Sequence, residues 1–373
     1  MLTLNFVISS FQTHWQYLIF GLPFLAMAFA YFETFQKRTW FGSSETIIAE
    51  IKTPRKHVHW LLAPWIFAST LLFHLFGASV GRESTAIQIG GSLAETLGRS
   101  LKIPADDRPI FIRMGLAAGF GAAFGVPWAG MIFGIESPLL LRKKDLLHLP
   151  FLALCSWGSY RWAHFLGMNH IPWKNISLSF SDLNWFSYFQ LGLYLILLTL
   201  SYEMLFRSTQ KFIMKSPWWA RSGFAGLLIL LLTFILGSPT FNNLGTPLIE
   251  SSFNQTSQFA QALTKLVFTL ISTVSGMKGG EVTPLMSAGA LFGSWFAGTH
   301  SSISFQIGAA LGLVSLFCSR LRIPLTGIFM LIEIFNWQIA LLAAPILILT
   351  EIGQRIVFDR SVEESKAGEE RRS

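Results

Sequence analysis

The chain has 373 residues, 52% of them hydrophobic and only 13% charged, a composition too apolar for two soluble domains of that combined length. Its 28 basic and 20 acidic residues leave a formal charge of +8, but the basic residues gather in short loops between apolar stretches. That pattern argues for membrane topology rather than nucleic-acid binding.

Spanning a hydrocarbon core takes roughly 20 mainly apolar residues per helix. In chain order, the stretches 16–34, 59–79, 184–204, 220–237 and 337–353 meet that requirement. No basic residue precedes Lys37, so the first stretch lacks the charged start of a secretory signal and is expected to stay in the mature protein. The groups Lys37/Arg38/Lys52/Arg55/Lys56, Arg142/Lys143/Lys144 and Arg207/Lys211/Lys215 place their loops in the cytoplasm, with the amino terminus outside. Between the long stretches lie shorter glycine-rich ones, 115–135 and 283–297. Small residues there predict close helix contacts or broken helices.

The two halves repeat. Pro127-Trp128-Ala129-Gly130-Met131-Ile132-Phe133-Gly134-Ile135-Glu136 resembles Pro324-Leu325-Thr326-Gly327-Ile328-Phe329-Met330-Leu331-Ile332-Glu333, and upstream Gly81-Arg82-Glu83 matches Gly279-Gly280-Glu281. The offset of about 197 residues is too long for a solenoid unit and fits a doubled membrane protein whose halves enclose a substrate site. One membrane domain is expected over residues 1–358, with halves at about 37–180 and 184–358, followed by a polar cytoplasmic tail at 359–373.

Glu83 falls where an apolar span gives way to the helical run Ser84 to Leu97. A helix start offers free N–H groups that bind an anion or a carboxylate, so Glu83 and a transported anion compete for one place, and protonation of Glu83 opens it. The alternative is a plain helix cap, but an ionisable group in so apolar a chain points first to function. In the second half, Gly276-Met277-Lys278-Gly279-Gly280-Glu281-Val282-Thr283-Pro284 sets a proline in the first turn of another helix. Val282 and Thr283 become candidate anion donors and Glu281 a candidate for a proton or ion role; otherwise the glycines serve helix crossing. Glu136 and Glu333 are read as facing the aqueous boundary or capping a neighbour. Cys155 and Cys318 lie in apolar runs, and the histidines are dispersed, so neither a disulfide nor a metal site is expected. No cofactor is inferred.

These motifs, in this order over residues 42–358, resemble the CLC family of chloride channels and proton-coupled anion exchangers. The resemblance implies an all-α polytopic fold, an inverted repeat of broken and tilted transmembrane helices, and a homodimer with a pore in each subunit. It gives Glu83 the gating and proton-transfer role, with Arg82 and Ser84 of its motif as anion-binding neighbours. Lys278-Gly279-Gly280-Glu281-Val282-Thr283-Pro284 is most similar to the fluoride/proton antiporter branch, since chloride carriers have phenylalanine where Val282 stands. Ser137 also lies where chloride exchangers keep an internal proton-relaying glutamate.

Ser84-Thr85 departs from the family's usual glycine followed by proline or a small polar residue, and Phe358 falls near the position of a central tyrosine. The inner anion motif maps to Gly42-Ser43-Ser44-Glu45-Thr46, giving Ser43 and Ser44 as further anion ligands. The implied function is fluoride export in exchange for protons across a bacterial inner membrane. A chloride channel or chloride/proton exchanger is the alternative, and a transport-inactive regulatory membrane protein is the alternative of another class. An intramembrane enzyme has no supporting Ser/His/Asp arrangement.

Overall fold

A computed structural model describes residues 2–35, 47, 50–51, 58–137, 143–168, 176, 183–299 and 303–359. Ser43 and Ser44, with the rest of the inner motif, lie outside the described residues, as does the tail from residue 360. Among the described residues the chain is helical, as the family resemblance implies, and its one extended pairing is an isolated antiparallel bridge between Gly81 and Gly280.

The stretch 16–34 does not form one span. Helices α1 (Leu2–Leu18) and α2 (Gly21–Phe35) meet at a bend of 104°. Pro23 supplies the reason: it has no N–H for the helix ladder, and its ring would collide with the carbonyl of Ile19 if α1 continued. The stretch 59–79 is also shorter than its hydropathy suggests. Helix α3 (Leu62–Leu75) stops before Gly77, which turns with φ 84°.

Two helix hairpins follow the repeat. Helices α4 (Glu83–Ser100) and α5 (Arg108–Phe124) form one, and α12 (Val282–Thr299) and α13 (Phe305–Leu321) form the other. Each crosses at glycine: a Cβ on Gly90 would run into the Gly115 carbonyl, and one on Gly289 into the Gly312 carbonyl. Absent side chains let the backbones touch, as the glycine-rich stretches predict. Helices α6 (Pro127–Glu136) and α14 (Pro324–Ile334) complete the related pairs, each opening on proline.

Of the remaining helices, α8 (Trp185–Ile213), α9 (Trp218–Leu236) and α15 (Trp337–Gln354) are long and apolar enough to cross a membrane. Helix α7 (Leu149–Phe165) follows α6, while α10 (Thr246–Asn254) and α11 (Phe259–Val274) lead into the second hairpin. Large apolar side chains such as Phe165, Phe186 and Ile235 are exposed, as suits a surface solvated by lipid.

Candidate functional site

Beyond Gly77 the backbone is irregular up to Gly81, and several of its polar groups pair with side chains and a main-chain N–H of the second half. Asn242 Nδ2 donates to the Gly77 carbonyl at 2.6 Å, and the Asn243 N–H donates to the Ala78 carbonyl at 3.1 Å. Ser272 Oγ accepts the Ser79 N–H at 3.0 Å, and Lys265 Nζ donates to Ser79 Oγ at 3.0 Å. Lys265, wholly buried in α11, also donates to the carbonyls of Phe241 and Asn243 at 3.0 and 2.8 Å. The segment is therefore held in place before it reaches the bridge.

At the bridge the Gly280 N–H donates to the Gly81 carbonyl at 2.7 Å, and the Gly81 N–H donates back to the Gly280 carbonyl. Gly279 approaches with φ 133° against Val80, where a Cβ would lie 2.6 Å from the Val80 Cβ. Both the backbone angle and the space require glycine. The bridge joins the two repeated motifs, and a helix begins on each side of it: α4 at Glu83 and α12 at Val282.

Glu83 is 3% exposed, and Arg82 Nε donates to its Oε1 at 3.2 Å. The other oxygen, Oε2, is buried without a hydrogen-bond partner among the described residues. It lies 3.0 Å from the position a Gly81 Cβ would take, with the Gly280 carbonyl oxygen and Pro284 Cδ each 3.2 Å from that point. The carboxyl group thus folds back over the bridge toward α12. Ser84 packs its hydroxyl against Gly280. Val282 and Thr283 are buried at the start of α12, and the Thr283 hydroxyl has no partner among the described residues. The first-turn N–H groups of a helix lack intrahelical acceptors, and Pro284 has none to give. Val282 and Thr283 are the residues whose amides remain for a ligand.

Arg82, Glu83, Ser84, Glu281, Val282 and Thr283 therefore lie next to the one bridge, with the Glu281 side chain turned to a separate cluster. Sequence reasoning passed over the surroundings of Glu281. Arg320, at the end of α13, lies with Nε 2.9 Å from Glu281 Oε1 and donates from Nη1 to Glu203 Oε2 at 3.2 Å. Its guanidinium carbon stands 3.8 Å from the Phe206 ring centroid. Arg207 donates from Nε to Glu203 Oε1 at 2.5 Å and lies over the Phe358 ring at 4.6 Å. Phe358 accordingly packs on a cation of α8. Lys278 pairs with Glu33 of α2. The signal that marks Glu203 in the sequence is its isolation, as a carboxylate in the apolar run of α8.

Two facing helix starts, a buried carboxyl group over them and broken helices around them define a membrane carrier of anions. The chain belongs to the voltage gated chloride channel family, whose family model matches residues 24–353. A chloride/fluoride channel protein of Pseudomonas syringae pv. tomato is 32% identical over 320 residues, which is 81% of this chain and 69% of that one. The H(+)/Cl(-) exchange transporter ClcA of Vibrio cholerae is 25% identical over 306 residues, 74% of this chain and 62% of that one. Among solved structures, a CLC-type fluoride/proton antiporter superposes with a TM-score of 0.85 at 27% identity, over 94% of this chain and 89% of its own. A slow cyanobacterial Cl-/H+ antiporter superposes at 0.79 and 19% identity, over 95% of this chain and 90% of its own, and shares the fold. The protein is an integral membrane anion transporter, not an enzyme.

Proposed function

We propose that the protein exchanges fluoride for protons and that Glu83 is its gate. One observation carries this reading: the Glu83 carboxyl group is buried over the Gly81–Gly280 bridge with one oxygen on Arg82 and the other unpartnered among the described residues. A group so placed stands beside the space that the helix-start donors offer to an anion. As a carboxylate it keeps the anion out by its charge; once protonated it loses that charge, withdraws, and carries its proton with it. Val282 and Thr283 supply amide donors, the Thr283 hydroxyl adds another, and Arg82 supplies positive charge.

Fluoride is favoured over chloride by Val282, by hydroxyl and amide donors suited to a small, strongly hydrogen-bonding ion, and by the likeness to a fluoride/proton antiporter at 27% identity. Chloride/proton exchange is the second reading, supported by the likeness to a chloride/proton exchange transporter. Assembly as a homodimer in a bacterial inner membrane belongs to the same proposal, and the exposed apolar side chains Trp128, Leu325 and Ile332 on α6 and α14 suit a partner or lipid.

The test is fluoride and chloride efflux from liposomes holding the purified protein, with internal pH recorded. Selective fluoride efflux with protons moving the other way is expected. Equal or greater chloride flux transfers the role to the second reading, and no flux of either ion removes both.

A further inference from the structure

The cluster around Arg320 contains two carboxylates, Glu203 and Glu281, and two guanidinium groups, Arg320 and Arg207, so it is neutral when both acids are ionised. The two acids are not held alike. Glu203 is 3% exposed and each of its oxygens accepts from an arginine. Among the described residues Glu281 has only Arg320. That contact is close enough for an ion pair, yet the Arg320 Nε–H makes no aligned hydrogen bond, and Glu281 Oε2 has no hydrogen-bond partner among the described residues.

A proton entering this cluster therefore goes to Glu281, the less compensated acid. Arg320 is then left with half of its counter-charge. It cannot neutralise itself, because guanidinium stays protonated in proteins, and it cannot swing away easily, because Glu203 and the face of Phe206 fix its plane. The Arg320 side chain is 21% exposed and that of Glu281 12%, while Arg320 Nε and Glu281 Oε2 are themselves buried, so a small ion reaches the guanidinium as the Glu281 carboxyl group moves aside.

We propose that Arg320 is an anion-binding residue, and that the Glu281 carboxylate and a small inorganic monoanion of the halide class alternate as its counter-ion. Protonation of Glu281 vacates the place and the anion takes it; loss of the proton returns the carboxylate and expels the anion. Glu203, Arg207 and Phe206 are positioning residues for the guanidinium. Among the described residues the other titratable group facing it is Tyr202 of α8, whose buried hydroxyl lacks a partner there. Lys278, three residues before Glu281, is engaged by Glu33. The proposal rests on the anion-carrier reading and adds to it a second station at which proton and anion binding are linked.

The test uses the purified full-length protein carrying Glu83→Gln, which removes the first competing carboxylate, titrated calorimetrically with sodium fluoride and sodium chloride at acid and at alkaline pH. Affinity should be higher at acid pH by about tenfold, a coupling of ordinary size. Adding Glu281→Gln should give the tighter affinity at both pH values, and adding Arg320→Gln the weaker at both. Arg320→Lys should retain part of the binding, since it keeps the charge and loses the fork. The proposal is overturned if the pH dependence survives Glu281→Gln, or if Arg320→Gln binds as tightly as its parent. Should Arg320→Gln fail to fold, the Glu281→Gln comparison decides alone. Vesicles of wild-type protein separate the two levels: no anion flux removes the carrier reading, whereas flux with failed titrations removes only the Arg320 station.

Discussion

Glu136 and Glu333 cap each other's helices. Glu136, at the end of α6, accepts the N–H groups of Leu325 and Thr326 at 2.8 and 2.7 Å and the Thr326 hydroxyl at 2.7 Å, all at the start of α14. Glu333, near the end of α14, accepts the N–H groups of Trp128 and Ala129 at 3.0 and 2.8 Å, at the start of α6. The exchange expresses the internal repeat in hydrogen bonds: each proline-led helix donates its free first-turn amides to the other's carboxylate.

Glu136→Ala should destabilise the protein more than Glu333→Ala, because Glu136 is buried and accepts three bonds while Glu333 is less buried and accepts two. Charge-assisted hydrogen bonds of this kind contribute about 1.5 to 3 kcal/mol each. Thermal unfolding in detergent should rank Glu136→Ala below Glu333→Ala and both below wild type. The reverse order would show that the caps are unequal in another way.

Gly289→Val should disrupt the second hairpin, because its side chain would enter the space of the Gly312 carbonyl. Overpacking of this sort costs about 1 to 3 kcal/mol, and the same hairpin carries Val282 and Thr283 at one end. Reduced melting temperature together with reduced transport is the expected outcome; normal values of both would mean the helices separate freely.

Lys265→Met should loosen the approach to the bridge. It removes the amine that ties Ser79 to the turn holding Phe241 and Asn243, leaving the buried Asn243 carbonyl without that donor at about 1 to 3 kcal/mol, and the part-buried Phe241 carbonyl at less. Hydrogen exchange should rise in the peptide that includes Ser79 to Gly81 relative to wild type. Unchanged exchange there would show that the bridge is held without Lys265.

Much of the architecture was legible because it is written twice. A glycine-glutamate motif and a proline-to-glutamate helix recur at nearly the same offset, so Glu83 and Glu281 stood out, and the structure brings both motifs to one bridge. Hydropathy located α8, α9 and α15 well. It failed over residues 16–34, because a window average is blind to the single missing N–H of Pro23. Arg320 was invisible for a different reason. Its partner Glu203 lies 117 residues away in sequence, in a different helix, and neither belongs to a repeated motif. Only the packing of α13 against α8 brings them to Glu281. Cap roles for Glu136 and Glu333 were readable as one of two options, and the geometry selects between them.

The most direct test of the gate is Glu83→Gln in liposomes, with anion efflux and internal pH recorded together beside the wild type. A neutral glutamine imitates the protonated carboxyl group and carries no proton, so anion should still move while coupled proton movement disappears. Proton movement that remains coupled to anion flux at the wild-type ratio would contradict the assignment of Glu83.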